Sequence, residues 1–117
     1  MANKNLHHIM SRIKKFRDDR DWMQFHDPKN MAISIIIEAS ELLEHFQWKT
    51  KKEVDEYIEN NKSRIEEEIA DIGMYLFELS DNLKIDLLSA MEKKINKNEK
   101  KYPVKKAKGN ARKYNEL

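Results

Sequence analysis

Apolar residues recur at three- and four-residue spacing along most of the chain, the period at which an α-helix returns to the same face. Leu6, Ile9, Ile13 and Phe16 mark a first helix over about residues 4–19. After the loop RDWMQFHD, Asp27-Pro28 pairs an N-cap with a proline at the first helical position, where its missing N–H costs nothing. A second helix is predicted from there to about Trp48. Thr50-Lys-Lys-Glu53 has the capping-box form and predicts a short third helix ending near Asn60 or Asn61. Ile65, Ile69, Ile72, Leu76 and Leu79 give a fourth, over about residues 63–82. Asp86 caps a fifth, which has to stop by Tyr102 because Pro103 follows. No segment reads as a convincing strand. The expected fold is all-α, an antiparallel helical bundle of four to five helices. Residues 1–103 would form the domain, and residues 104–117 a basic tail docked on it.

One stretch conflicts with the amphipathic pattern. IIIEASELLEHFQW, residues 35–48, sets Glu38 and Glu41 inside the most apolar run of the chain. On a wheel of about 100° per residue with Glu38 at zero, Leu42 lies at about +40°, Ile35 at about +60° and Glu41 at about −60°. The fourth helix repeats the pattern. With Glu68 at zero, Leu79 falls at about +20°, Ile72 at about +40° and Ile65 at about +60°. Asp71 falls at about −60°, while Glu66, at about 160°, points toward solvent. Two helices therefore each turn a carboxylate pair inward, Glu38-x-x-Glu41 and Glu68-x-x-Asp71. Gly73, within the same helix, most simply marks close helix packing.

Four carboxylates converging in a partly dry bundle repel one another unless something positive lies among them. No Lys or Arg falls on the inward arcs, so a bound cation is expected. An all-oxygen ligand set selects a hard ion, Mg²⁺ or alternatively Mn²⁺. A di-iron bundle would need Glu-x-x-His on two helices. None of the histidines has a Glu three residues before it.

Composition narrows the picture further. A chain of 117 residues suits one domain, and 38% charged residues with only 2 Gly and 2 Pro suit helices. With no Cys, disulfides, thiolate metal sites and thiol nucleophiles are excluded. MANKNLHHIM lacks the layout of a signal peptide and no apolar run reaches membrane-spanning length, so a soluble cytoplasmic protein with no membrane partner is expected. The net charge of +2 conceals an asymmetry. From Lys93 to Leu117 there are ten Lys and Arg against two Glu, leaving 13 basic and 19 acidic groups in residues 1–92. A basic tail on an acidic body suits either a nucleic-acid arm or a clamp for a polyanionic small molecule. The acidic body argues against nucleic acid. Lys101 and Arg112, with Lys100 and Lys113, are candidates to neutralise phosphates.

The spacing ExxE, a gap of about two dozen residues, then ExxD resembles the MazG-like, all-α NTP pyrophosphatase superfamily. RDWMQFHDPKN, EASELLEHFQW, EEIADIGMYLFEL and NEKKYPVKKAKGNARKYNEL look like its dCTP pyrophosphatase branch, over about Phe16 to Leu117. The resemblance implies Mg²⁺-dependent hydrolysis of a nucleoside triphosphate at the α–β bond, giving monophosphate and pyrophosphate in the service of nucleotide-pool sanitation. The metal ligands and catalytic acids would be Glu38, Glu41, Glu68 and Asp71. Trp22 and Trp48 would enclose the base, and His26, Tyr75, Asn98 and Tyr102 match positions near the nucleotide. One departure bears on base selectivity: Ile13 stands where the branch has a ligand-contacting histidine on its first helix.

The second helix also bears on assembly. Ile33, Ile35, Ile36, Ile37, Leu42, Leu43 and Phe46 surround more than half of it, so most of its sides should be buried. A homo-oligomer is therefore expected, and the resemblance implies a homodimer or homotetramer. The alternative to an enzyme is a non-catalytic helical module that binds nucleotides or a partner protein. Such a module would not need four inward carboxylates.

Overall fold

In the computed structural model, residues 2–117 are described, with side chains from residue 5 onward. Helix α1 (Ala2–Asp19) leads through a 3-10 turn at Met23–Phe25 to α2 (Pro28–Glu44). As the sequence requires, Asp27 caps α2, its carboxylate accepting from the Asn30 N–H at 2.8 Å with Pro28 at the first helical position. Helix α3 (Lys51–Asn82) opens on the capping box: Glu53 N–H donates to Thr50 Oγ1 and Thr50 N–H to Glu53 Oε1, both at 3.2 Å. The third and fourth helices expected from the sequence are joined in this one element. The break survives as a kink at Asn61 (φ −131°, ψ 29°), whose amide donates to the Tyr57 carbonyl at 3.0 Å.

Helix α2 ends at Glu44, short of the predicted Trp48, in a tight turn. Phe46 N–H and Gln47 N–H both return to the Leu43 carbonyl, and Trp48 adopts a left-handed φ of +68°. A left-handed residue after the last helical turn ends a helix, although glycine usually supplies it. The loop before α2 has a second one, Asp21 at φ 56°, next to Trp22.

α2 and α3 form the main packed pair, with α1 against α3. Three pairings fix the α2–α3 direction. His26 meets Glu78, Glu41 lies near Glu68, and His45 meets Tyr57, so one chain ascends as the other descends. A Lys14–Asp81 ion pair at 2.9 Å ties α1 to the far end of α3. Only Met31 and Ile65 are buried apolar side chains among the described residues, and of the two only Met31 is fully buried. On α2, Ile33, Ile36, Ile37 and Leu43 remain exposed; on α3, Ile69 and Leu76 do. The expectation for Gly73 is not met. A Cβ there would touch nothing within 4 Å in this protomer, so no close helix packing requires the glycine.

The chain divides into two compact units, the first ending at Lys84 and the second spanning Ile85–Leu117. The second unit holds α4 (Leu87–Lys101), capped by Asp86, and the short α5 (Val104–Ala107). Within it the chain end returns to α4: the Tyr114 ring meets Tyr102 edge-on at 6.2 Å, and the Lys101 ammonium sits 4.8 Å from the Tyr114 centroid. No strand occurs among the described residues, and no described helix is long and apolar enough to cross a membrane. The capping box gives a direct test of the start of α3. Thr50→Ala should lower stability by ~1 kcal/mol, read as a shifted urea midpoint with an unchanged slope.

Candidate active site

The antiparallel α2–α3 pairing brings Glu38 and Glu41 against Glu68. One oxygen from each of the three carboxylates lies within 4.8 Å of the others. Glu38 Oε2 and Glu68 Oε2 are buried and have no hydrogen-bond partner. A buried polar atom left unpaired is costly and rare enough in folded proteins to need a cause. Burial first, then the hydrogen bond with Glu41 and the charges of Glu41, Asp71 and Glu68, push the Glu38 carboxyl up to about 7. Asp71 stands outside the three-oxygen cluster yet close enough to act on Glu38 through its charge.

No Lys or Arg pairs with any of these four acids among the described residues; the nearest positive candidate is His45, with Nε2 3.5 Å from Glu68 Oε1. His45 is itself anchored at Nδ1 by the Tyr57 hydroxyl. The sequence did not single it out, although it lies four residues after Glu41 and seven after Glu38, on the same helical face. The donor set fits a hard divalent cation.

Two cavities are lined in part by these acids. The first, about 500 Å³, is lined by Phe16, Trp22, His26, Tyr75, Ile9 and Ile13, with Asp71 and Glu78 also on its wall. Its volume and apolar, aromatic lining fall in the range of small-molecule sites. Phe16 and Trp22 pack edge to face at 5.6 Å, and the Arg20 guanidinium covers the Phe16 ring at 3.8 Å. The second cavity, about 330 Å³, is polar and lined by Glu41, Glu44, His45, Lys49, Tyr57 and Glu68.

The candidates from the sequence divide accordingly. Trp22, His26 and Tyr75 share the first cavity with Asp71, and Ile13 is an apolar part of that wall. Trp48 lines neither cavity and is 92% exposed, which removes any core role for it in the protomer. Asn98, Lys101, Tyr102 and Arg112 all belong to the second unit. Asn98 and Lys101 lie on α4, Tyr102 caps it, and Arg112 donates its N–H to Asn110 Oδ1. Glu78 was not anticipated. It lies seven residues after Asp71 and three after Tyr75, so the inward face of α3 carries one more acid than the ExxD pair reveals.

The MazG-like family model matches residues 33–117. Human dCTP pyrophosphatase 1 is 36% identical over 105 residues, covering 88% of this chain and 62% of that protein. The mouse dCTP pyrophosphatase 1 is 37% identical over the same length. The chain thus spans 62% of the length of these curated relatives. A pyrophosphatase crystal structure from Archaeoglobus fulgidus is 44% identical, with a TM-score of 0.82 over 85% of this chain and 93% of that one.

The raised Glu38 carboxyl has a measurable consequence for the metal-free protein. The folded form keeps this proton up to about pH 7, whereas an ordinary glutamate loses it near 4.5. Below the lower value Glu38 is neutral in both states and no penalty applies; as pH rises through the window, the folded state loses stability. Melting in chelator should therefore decline from pH 5 to 7.5 by on the order of 5 °C more in the parent than in Glu38→Gln. Parallel curves for the two proteins would show that Glu38 is not desolvated.

Proposed function

Because the chain belongs to the MazG-like family, we propose that it is a divalent-metal-dependent nucleoside triphosphate pyrophosphohydrolase. It cleaves the α–β phosphate bond of a (deoxy)nucleoside triphosphate, dCTP or a modified dCTP, to the monophosphate and pyrophosphate. The observation that carries this reading is the pair of orphaned, buried oxygens on Glu38 and Glu68 within a cluster that forms no ion pair with Lys or Arg among the described residues.

Glu38, Glu41, Glu68 and Asp71 would hold Mg²⁺, or Mn²⁺ in its place. Such an ion, when bound, neutralises charge on phosphoryl oxygens and makes a coordinated water more acidic. The protein supplies the positioning. Asp71 belongs both to the acid group and to the wall of the aromatic cavity, which supports a base held by Trp22 and Tyr75 with its phosphates directed at the carboxylates. Lys49, the one Lys or Arg lining the polar cavity beside Glu41 and Glu68, supports assigning the departing phosphates to that side. Trp48, exposed and lining neither cavity, is not placed against a base bound in the aromatic cavity of the same chain.

The working form is a homo-oligomer, a dimer or a dimer of dimers. Two buried apolar side chains make a thin core for the described chain, and exposed Ile33, Ile36, Ile37 and Leu43 on α2 supply the apolar area that subunit contact removes from water. Sedimentation at micromolar concentration should give a mass of at least twice 14.1 kDa. A lone monomer would refute this.

Glu68 and its exposed neighbour Glu66 provide the test of the enzyme reading. Glu68→Gln keeps the volume but removes the charge a hard cation needs, so pyrophosphate release should fall by at least ~100-fold. Without metal the same change should leave melting unchanged or raised, since it relieves repulsion among the acids. Glu66→Gln should alter turnover less than about twofold and stability by no more than ~0.5 kcal/mol. The assay must separate pyrophosphate from orthophosphate. Equal behaviour of the two variants would remove the physical basis of the assignment.

A further inference from the structure

Two charged residues are buried outside the acid cluster, Arg17 at 9% exposure and Glu78 at 4%, and both line the aromatic cavity. They are joined by a chain of hydrogen bonds whose direction is forced from one end. Arg17 has only donors, so its Nη1, 3.2 Å from the Asn82 side chain, requires the amide oxygen to face it. The Asn82 amide nitrogen is thereby turned to Glu78 and donates to Oε2 at 3.2 Å. That same oxygen is 2.7 Å from His26 Nδ1. As a carboxylate Glu78 has acceptors only, so the proton on this contact belongs to His26 Nδ1. In the neutral ring Nε2 then bears the lone pair, and His26 lines the cavity.

We propose that Glu78 is a positioning residue for substrate selection: oriented by Asn82 and Arg17, it fixes His26 in the Nδ1–H form and so presents Nε2 as a hydrogen-bond acceptor to the bound base. This rests on the reading that the aromatic cavity takes the nucleobase. With apolar Ile9, Ile13 and Phe16 on the wall, an acceptor of fixed direction discriminates by chemistry rather than size. A base edge carrying an amino group satisfies Nε2. An edge carrying a carbonyl at that point sets lone pair against lone pair and leaves Nε2 without a donor. A merely structural ion-pair network would not need its terminal ring on the cavity wall. Glu78 also lines the cavity, so the two routes separate by epistasis: an effect exerted through His26 vanishes when His26 is gone, whereas direct contact with the base would survive.

Two measurements on the full chain with Mg²⁺ test this. Imidazole ¹⁵N–¹H correlation spectra report the His26 tautomer directly. The parent should show protonation at Nδ1 and a type-acceptor shift at Nε2, and Glu78→Gln, whose amide can donate as well as accept, should shift toward a tautomer mixture. Steady-state kinetics on dCTP and dUTP, which match in size and differ at the amino or carbonyl position, report the selection. The parent should favour dCTP by at least ~10-fold in kcat/KM, the scale of an unpaired buried polar group. Glu78→Gln should bring that ratio below ~3-fold, with the loss falling on KM more than kcat. His26→Phe should erase the preference, and adding Glu78→Gln to it should change nothing more.

An Nε2–H tautomer in the parent overturns the proposal, as does a Glu78→Gln enzyme that keeps its preference. Should Glu78→Gln fail to fold, the parent spectrum and the His26→Phe ratio still decide. If the parent hydrolyses neither triphosphate, the enzymatic reading falls by itself. Dissociation constants for dCMP and dUMP, with the same variants, then test the role of Glu78 separately.

Discussion

Three carboxylates converging between two facing helices, with Asp71 near enough to act on them by its charge, are the constraint on which the rest of this structure turns. Carboxylates at such a seam cost free energy twice, once in lost hydration and once in mutual repulsion. The protein does not offset this with Lys or Arg among the described residues, and the strain shows as a Glu38 carboxyl raised to about 7 and two buried oxygens without partners. The seam holds its geometry because strong local signals fix the helices on either side of it. Asp27 and Pro28 set where α2 begins, the Thr50–Glu53 box sets where α3 begins, and the antiparallel register then brings residue 41 near residue 68.

A carboxylate seam uses helix surface that would otherwise carry apolar side chains. In the described chain only Met31 and Ile65 are buried apolar residues, and Ile33, Ile36, Ile37 and Leu43 of α2 are exposed. Giving the inner face to polar chemistry and leaving apolar side chains outside go together in a small helical protein, where one layer of side chains cannot do both.

The two cavities divide the chemistry by polarity. Aromatic and aliphatic residues from α1, the loop before α2 and the end of α3 enclose one, while His45, Lys49 and Tyr57 line the other beside Glu41 and Glu68. Asp71 faces the first and acts electrostatically on the cluster, so the acid pair on α3 spans the boundary. Arg17, Asn82 and Glu78 add a second polar arrangement behind His26. Unlike the acid cluster its members are paired with one another, which is the condition under which a buried network is rigid rather than merely costly.

The sequence by itself determined whatever depends on neighbours in the chain. Helix starts at Pro28, Lys51 and Leu87 were legible because caps act within a turn; the place of the break near Asn61 was legible too, but not that the helix continues through it as a kink. The inward aim of Glu38, Glu41 and Glu68 was legible because a helix has a fixed period, so spacing alone says which side chains share a face. Local rules failed where the backbone left that period: α2 stops at Glu44 because Trp48 turns left-handed, and nothing in its residue type requires that. Residues whose importance comes from a partner distant in the chain were not legible. Glu78 acquires its meaning from His26, 52 residues away, Asn82 from Arg17, and His45 from Tyr57 and Glu68. Spacing along one helix carries no information about which face of another helix will meet it. Only the register of α2 and α1 against α3 decided those pairs.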